Sequence, residues 1–244
     1  MISNLSNALS YTDSLMKDTS NITRKLMPKA VIAHHVRWLE ASVVAESAKK
    51  ENIKTILISH GTHSKPLNSV SHYESKHLAR GLLTSTLSSI NIVQSPIAEN
   101  AIKHFAPYEK YRKYKPIMWG HKKISNEFSS NEFKIICAGT FKQLGFRPWI
   151  YETSNEFVHG LVNLIKVKKN LKNCNLTICV RNNYECDISS LKKLLPNYQN
   201  YEIKTNFYDE LKSANLLVSF SSTTIEEALN SKIPIALYGG LNNY

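Results

Sequence analysis

The sequence predicts an α/β fold built from two Rossmann-like domains with parallel sheets. Three observations predict it: short apolar runs of strand length recur along the chain, helical segments separate them, and a polar stretch divides the chain near its middle. Strands that alternate with helices at this spacing indicate β-α-β units, which form parallel sheets. The 244 residues, 42% of them hydrophobic, are enough for two small domains with their own cores.

The first half opens with a polar segment, residues 1–25, that we expect to be a weak helix or a loose chain. From Lys29 onward apolar runs and amphipathic stretches alternate. Its expected strands are Ala30–Ala33, Thr55–Ser59, Ser89–Gln94 and Pro116–Trp119, and its expected helices are Trp38–Lys50, His77–Leu83 and Pro96–Phe105.

The polar segment Ser125–Asn131 predicts a linker, which gives an N-terminal domain over residues 1–124 and a C-terminal domain over residues 132–244. The expected strands of the second domain are Phe133–Ala138, Asn175–Val180, Tyr201–Ile203, Leu216–Phe220 and Ile233–Tyr238, and its expected helices are Asn155–Asn170, Ile188–Leu195, Tyr208–Ser213 and Thr224–Asn230. The sequence has no clear opening strand and no closing helix, so we expect both domains to be incomplete and the chain to be truncated.

Composition excludes several classes of protein. No apolar run approaches the roughly 18 residues of a membrane-spanning helix, and the N-terminus lacks the pattern of a secretory signal. Four cysteines without a C-x-x-C pair form neither a disulfide scaffold nor a zinc ribbon. These features favour the reducing cytoplasm.

The net charge of +12 is concentrated in the first half of the chain. Residues 1–130 hold 18 Lys and Arg against 9 Asp and Glu, whereas residues 131–244 hold 13 against 10. Such an asymmetry indicates an anionic partner: nucleic acid, a membrane surface or a phosphorylated substrate.

A Ser/Thr-rich turn joins the expected strand Leu216–Phe220 to the expected helix Thr224–Asn230. Free N–H groups at a helix start and nearby hydroxyls suit phosphate oxygens. Two glutamates follow the turn. Thr223 with Glu226, or Thr224 with Glu227, fits a capping box, and the other glutamate could accept hydrogen bonds from a ribose diol. A turn that only caps its helix is an equally good interpretation.

The string S-S-T-x-x-E-E-A-L-x-x-x-I-P-I at residues 221–235 resembles the donor-nucleotide segment of GT-B glycosyltransferases and of the related UDP-N-acetylglucosamine 2-epimerases. The resemblance implies that Ser221, Ser222 and Thr223 hold the donor phosphates and that Glu227 binds the ribose. Where the family usually has a glycine before the final proline, this chain has Lys232 and Ile233.

The opening of the second domain is similar to that of bacterial surface-carbohydrate transferases. The residues that carry the similarity follow two expected strands, and they are Gly139, Thr140, Lys142, Arg147 and Arg181. Ligands of open α/β sheets bind at such strand ends, where a cation can neutralise a phosphate leaving group. A plain surface cation is the alternative, and for Lys142 it is the better one.

In the first domain, ISHGTHSKP at residues 58–66 resembles the H-G-T-P motif of CDP-glycerol glycerophosphotransferases and allied capsule or teichoic-acid polymerases, with His63 in place of the proline. In that family the histidine is associated with activating the acceptor hydroxyl, so the resemblance implies a catalytic His60 next to Gly61 and Thr62. A neutral imidazole is suited to this proton transfer. A structural histidine is the alternative.

Further histidines raise two more hypotheses. His34 and His35 end the strand before His60, so they are candidates for the acceptor side, with at most one of them facing a cleft. His60, His63, His72 and His77 raise a zinc alternative, but no Cys or well-spaced carboxylate except Glu74 completes a ligand set. The resemblance to GT-B enzymes, which generally need no bound metal for catalysis, implies neither a metal nor a cofactor.

The segment Lys103–Lys123 carries seven Lys and Arg among five aromatic residues. This pattern suits an anionic membrane interface or single-stranded nucleic acid, and it is also that of a solvated connection. No RRM, KH or zinc-finger signature supports nucleic acid, which we do not expect as a partner.

Together the resemblances imply a metal-independent, GT-B-type glycosyltransferase of bacterial surface-polysaccharide synthesis. It would move a sugar from a nucleotide-activated donor to a polysaccharide or lipid-linked acceptor, in the cytoplasm or on the inner face of the plasma membrane. The alternatives are a glycerophosphotransferase, a UDP-sugar 2-epimerase, or a non-catalytic module that binds anionic glycan, lipid or nucleic acid.

Overall fold

The structure, a computed structural model, describes residues 2–59, 69–117, 132–139, 154–180, 188–196, 201–219 and 222–238. The chain divides into two compact units, one of residues 1–63 and 75–117, the other of residues 64–74 and 118–244. The predicted linker Ser125–Asn131 lies outside the described residues, so its boundaries stay a prediction.

The first unit contains a four-stranded parallel sheet in the order β1-β2-β3-β4. Its strands are β1 (Ala30–Ala33), β2 (Lys54–Ile58), β3 (Ile90–Val93) and β4 (Tyr111–Lys113), and the helices of this half of the chain are α1 (Ile2–Leu26), α2 (Leu39–Lys50), α3 (Ser69–Ala79) and α4 (Pro96–Phe105). Residues 2–26 therefore form a helix, the first of the two alternatives that the sequence left open.

Helix α4 starts as the sequence predicts, because Pro96 occupies its first turn and the Ser95 hydroxyl accepts a hydrogen bond from the Ala98 N–H at 3.1 Å. The apolar face of α4 packs on β3, where Ile102 and Val93 are almost fully buried. This packing forms one of the small cores of the first unit.

Two expectations for this half were wrong. The helix expected at His77–Leu83 is the end of α3, which stops at Ala79 because Gly81 adopts a left-handed φ of +80°. The last strand among the described residues of this half is Tyr111–Lys113. Pro116 and Ile117, the described residues of the expected strand Pro116–Trp119, are not in a strand. A strand at the edge of the sheet needs no apolar run, so the polar Tyr-Arg-Lys sequence concealed it.

The second unit contains a five-stranded parallel sheet in the order β7-β6-β5-β8-β9. Its elements are β5 (Phe133–Gly139), α5 (Ser154–Lys169), β6 (Cys174–Val180), α6 (Ile188–Leu194), β7 (Tyr201–Lys204), α7 (Phe207–Leu211), β8 (Leu216–Ser219), α8 (Thr224–Asn230) and β9 (Ile235–Leu237). The strand order reverses between β5 and β8, which are neighbours in the sheet. In open α/β sheets this switch point is where ligands bind.

Helices cover both faces of this sheet, as the alternating side chains of β5 show. Ile135 and Cys137 belong to a core that also holds residues of α5 and α6, whereas Ile136 and Ala138 belong to a core with residues of α7 and α8. Successive strand side chains point to opposite faces, so a continuous apolar strand such as FKIICAG is suited to burial on both. The predicted α/β fold with two Rossmann-like parallel sheets is confirmed.

Candidate functional site

A cleft of about 420 Å³ opens at the carboxyl ends of β5, β6, β7 and β8 in the second unit. Its volume is within the range of about 300–1,000 Å³ that is usual for small-molecule sites. The lining residues that the structure describes are Ala138, Gly139, Cys179, Val180, Thr205, Asn206, Phe207, Tyr208, Ser222, Thr223, Thr224 and Glu227. The cleft therefore lies beside the switch point between β5 and β8.

Gly139 forms part of the cleft because the end of β5 is closely covered by α5. A Cβ atom at residue 139 would lie 2.6 Å from Cε2 of Phe157, which is closer than non-bonded carbon atoms approach. Phe157 is buried in the core beneath this strand end. A glycine at this position thus allows the close packing of Phe157 against the end of β5.

The turn before α8 supplies the hydroxyl groups of the cleft. The Ser222 hydroxyl accepts a hydrogen bond from the Thr224 N–H at 3.3 Å. Thr223, the residue before α8, has helical backbone angles and makes no side-chain capping bond, so the capping box of Thr223 with Glu226 is not formed. The alternative box of Thr224 with Glu227 is not formed either, because the Thr224 hydroxyl has no hydrogen-bond partner among the described residues. The residues Ser222, Thr223 and Thr224 all line the cleft, but the hydroxyl of Thr224 is buried.

The two consecutive glutamates of α8 differ in their surroundings. Glu226 is only 2% exposed and packs inside the unit, whereas Glu227 is half-buried and lines the cleft. Among the lining residues that the structure describes, Glu227 alone carries a charge at neutral pH. The cleft therefore offers one carboxylate among hydroxyls, amides and apolar groups.

The carboxylate of Glu227 is bound by a neighbouring phenol. Tyr208 Oη donates a hydrogen bond to Glu227 Oε1 at 3.0 Å. Burial, and then the negative charge of Glu227, raise the pKa of Tyr208 to about 12. The phenol is therefore protonated at neutral pH and acts as a donor.

Sequence reasoning missed Tyr208, although the signal was present. The helix that it predicted, Tyr208–Ser213, follows a strand of the same parallel sheet, and the residues after such a strand lie at the edge where ligands bind. Phe207 and Tyr208 are the aromatic residues of that connection. Cys179 was also missed, but burial raises the pKa of its thiol to about 12, so it is not a nucleophile at neutral pH.

Several predicted site residues lie outside the described residues. In the second unit these are Thr140, Lys142, Arg147, Arg181 and Ser221, and in the first they are His60, Gly61, Thr62 and His63. Their roles stay predictions.

His34 and His35 lie just after β1, whose last residue is Ala33. Their rings make an edge-on contact with centroids 4.4 Å apart. Burial, and then the neighbouring His34, lower the pKa of His35. Because both residues follow the last residue of the strand, strand alternation does not determine where their side chains point.

The part of the chain that the structure describes contains no group of three or more His, Cys, Asp or Glu side chains that could hold a metal ion. Within the same residues, no helix combines the length and the apolar character that crossing a membrane requires.

The described residues of the segment Lys103–Lys123 include the edge strand β4 and its flanking residues. Glu99 of α4 pairs with Lys103 and with Lys113, each at 2.8 Å, and accepts a hydrogen bond from the Tyr111 hydroxyl at 3.1 Å. The two ammonium groups, Lys103 first, lower the pKa of Glu99 to about 2. These contacts fix β4 on α4.

Other cations of the same segment form no ion pair among the described residues. Lys110, Arg112 and Lys115 are exposed, and none of them forms an ion pair with a residue that the structure describes. Tyr108 is 98% exposed and Tyr114 is 64% exposed. We call these five residues the basic-aromatic strip.

The sequence matches no protein-family profile and no curated protein. The fold is similar to that of the UDP-GlcNAc 2-epimerase from Neisseria meningitidis bound to UDP-GlcNAc, with a TM-score of 0.61 and 16% identity over 93% of this chain and 63% of that one. It is also similar to S. aureus MnaA in complex with UDP, with a TM-score of 0.58 and 13% identity over 93% of this chain and 61% of that one. The present chain thus spans less than two thirds of the length of these structures, and at this identity the similarity shows the fold.

Proposed function

We propose that this protein binds a nucleoside diphosphate sugar in the cleft of its second unit and acts on it as a glycosyltransferase. The observation that carries the proposal is a ligand-sized cleft at the strand ends beside the switch point, with Glu227 among its lining residues. Similarity of fold to proteins solved with UDP and with UDP-GlcNAc supports the choice of ligand.

In this proposal the second unit holds the donor. Hydroxyl groups of Ser221, Ser222 and Thr223 donate to the phosphate oxygens, and Gly139 and Thr140 line the end of β5. Arg147 and Arg181 neutralise the diphosphate of the leaving nucleotide, whereas Lys142 stays a surface cation. Glu227 accepts hydrogen bonds from the ribose hydroxyls.

The first unit supplies the acceptor side. An acceptor hydroxyl attacks the anomeric carbon, the bond from that carbon to the phosphate oxygen breaks, and the nucleoside diphosphate leaves. His60 takes the proton of the attacking hydroxyl as general base, and Gly61, Thr62, His63 and one of His34 and His35 bind the acceptor. The boundaries 1–124, 125–131 and 132–244 describe the acceptor domain, linker and donor domain.

We also propose that the acceptor is lipid-linked or polymeric and that the protein works at the cytoplasmic face of the membrane. The basic-aromatic strip supports this, because unpaired cations attract anionic lipid and tyrosines suit the headgroup region. This part of the proposal is independent of the donor cleft.

A second candidate is a UDP-sugar 2-epimerase, which the fold similarity to the UDP-GlcNAc 2-epimerase from Neisseria meningitidis favours. The two reactions differ in what they need. An epimerase converts a nucleotide sugar into its epimer without an acceptor. A transferase consumes the donor only when an acceptor hydroxyl is present.

The experiment is to incubate the protein with UDP, CDP, GDP and dTDP sugars, with and without a crude lipid-linked glycan acceptor, and to follow nucleotide release and sugar identity by mass spectrometry and chromatography. We expect acceptor-dependent release of nucleoside diphosphate, which falls about 10²–10⁴-fold in His60→Ala. Acceptor-independent formation of an epimeric sugar would instead establish the epimerase. Binding of a nucleotide sugar without any turnover would indicate a non-catalytic module.

A further inference from the structure

The hydrogen bond between Tyr208 and Glu227 joins two helices whose preceding strands are not neighbours in the sheet. Tyr208 is in α7, which follows β7, and Glu227 is in α8, which follows β8. In the strand order β7-β6-β5-β8-β9, two strands separate β7 from β8. The bond therefore links two helices that pack in the same core and that both contribute lining residues to the cleft.

Both partners of this bond come from helices that are firmly anchored. Leu211 of α7 and Ala228 of α8 are fully buried in the same core, and the Asn206 side chain caps α7 by accepting from the Asp209 N–H. The ring of Tyr208 also contacts Phe207 edge-on, with centroids 6.0 Å apart. The backbone of Tyr208 is therefore held in place, and the hydrogen bond from its hydroxyl restrains the side-chain rotamer of Glu227.

A hydrogen bond from a phenol leaves a carboxylate able to accept others. An ionised carboxylate has about four lone-pair sites, of which the Tyr208 hydroxyl uses one. Because the pKa of Tyr208 is raised to about 12, the phenol remains a donor throughout the neutral range and does not compete as an anion. The contact therefore orients Glu227 while its charge is retained.

We propose that Tyr208 is a positioning residue that holds Glu227 toward a ribose diol, and that it thereby makes the cleft selective for ribonucleotide over 2′-deoxyribonucleotide donors. This inference rests on the proposed function, and it names the donor class: sugars activated by a ribonucleoside diphosphate, not by dTDP. The physical reason is that a 2′-deoxyribose lacks one of the two hydroxyls that a fixed carboxylate would bind. A carboxylate that is free to rotate would discriminate less, because it can reorient toward the remaining hydroxyl or toward water.

The test is a calorimetric titration with the best-binding nucleoside diphosphate among UDP, CDP, GDP and ADP, and with its 2′-deoxy counterpart. For the wild-type protein we expect the ribonucleotide to bind about 10-fold or more tightly than the deoxyribonucleotide, the factor for one hydrogen bond to a charged group. Tyr208→Phe keeps the ring and removes the hydroxyl. It should weaken ribonucleotide binding about 3–10-fold, weaken deoxyribonucleotide binding less, and so reduce the ratio of the two affinities.

The matched control is Tyr201→Phe. Tyr201 belongs to the same unit, and its hydroxyl also donates one hydrogen bond at 3.0 Å, but to the Pro196 carbonyl oxygen outside the cleft lining. This variant should leave both affinities unchanged. A double variant Tyr208→Phe/Glu227→Ala should show no further loss beyond Glu227→Ala alone, because the carboxylate that Tyr208 positions is then absent.

The ratio of affinities is the decisive readout, since a merely structural tyrosine would change both affinities alike. If Tyr208→Phe leaves the ratio unchanged, or tightens ribonucleotide binding because the phenol had blocked Glu227, the inference is wrong and the nucleotide site stands. If the wild-type protein binds none of the four nucleotides, the proposed function fails and the inference fails with it.

Discussion

At the scale of single residues, Lys232 occupies a turn whose backbone conformation suits a glycine. Its φ is +59°, in the left-handed region that glycine tolerates best. The Lys232 N–H donates to Leu229 O at 3.0 Å and the Ile233 N–H donates to Ala228 O at 2.9 Å, which together form a Schellman motif at the end of α8. A glycine suits this turn, and glycine is what the resembling families usually have in this region.

Lys232→Gly should therefore stabilise the protein. Relief of the left-handed strain gains about 1–2 kcal/mol, and the greater freedom of glycine in the unfolded chain costs about 0.5–1 kcal/mol, so we expect a net gain of about 0.5–1 kcal/mol. Chemical denaturation of both proteins measures it. Lys166→Gly is the control, because residue 166 is exposed within α5 and the same change there should destabilise by about 1 kcal/mol. A loss of stability in Lys232→Gly would contradict this explanation.

At the site, some positions follow from the local sequence and others only from the fold. The spacing of the Ser/Thr turn left the roles of Glu226 and Glu227 open, and the resemblance assigned the ribose to Glu227; of the two, Glu227 lines the cleft and Glu226 is buried. Tyr208 lies 19 residues before Glu227 in the chain, and only the return of two strands to the same edge brings them into contact. No local pattern contains that information.

At the scale of elements, the strands buried on both faces were predicted well because their apolar runs are continuous. The strand β4 was missed because an edge strand has one neighbour and presents polar side chains. Its position matters, since it places the basic-aromatic strip at the edge of the first sheet, where the ion pairs of Glu99 hold the strand on α4.

If this strip docks on a membrane, reversing its charges should abolish binding to anionic vesicles. We expect the wild-type protein to cosediment with vesicles of phosphatidylglycerol and phosphatidylcholine, more so at a higher anionic fraction and less at high salt. Lys110→Glu/Arg112→Glu/Lys115→Glu should lose most of this binding, because each basic residue near the surface contributes about 1 kcal/mol.

The control reverses three exposed lysines of the second unit, Lys166, Lys172 and Lys192, with the same change in net charge. It should bind vesicles nearly as well as wild type. Equal losses in both triple variants would show that net charge alone drives binding, and tight salt-dependent binding to single-stranded oligonucleotides instead of vesicles would identify a nucleic-acid partner.

At the scale of the whole molecule, the predicted two-unit α/β organisation is confirmed, and the charge asymmetry of the chain coincides with it. The first half carries most of the excess positive charge, while the described cleft is in the second half. An enzyme that takes an anionic acceptor on one unit and a nucleotide donor on the other fits this division. The account depends above all on the donor cleft, because every proposed role in the reaction starts from a bound nucleotide.

The measurement that tests this most directly is a calorimetric titration of nucleotide sugars into the wild-type protein and into Glu227→Ala. We expect saturable binding by wild type and a loss of about 1.5–3 kcal/mol, or roughly 10–100-fold in affinity, in the variant. Glu202→Ala, which removes the same charge from an exposed position on β7 outside the lining, should bind like wild type. Absence of binding by wild type, or equal affinity in Glu227→Ala, would contradict the account.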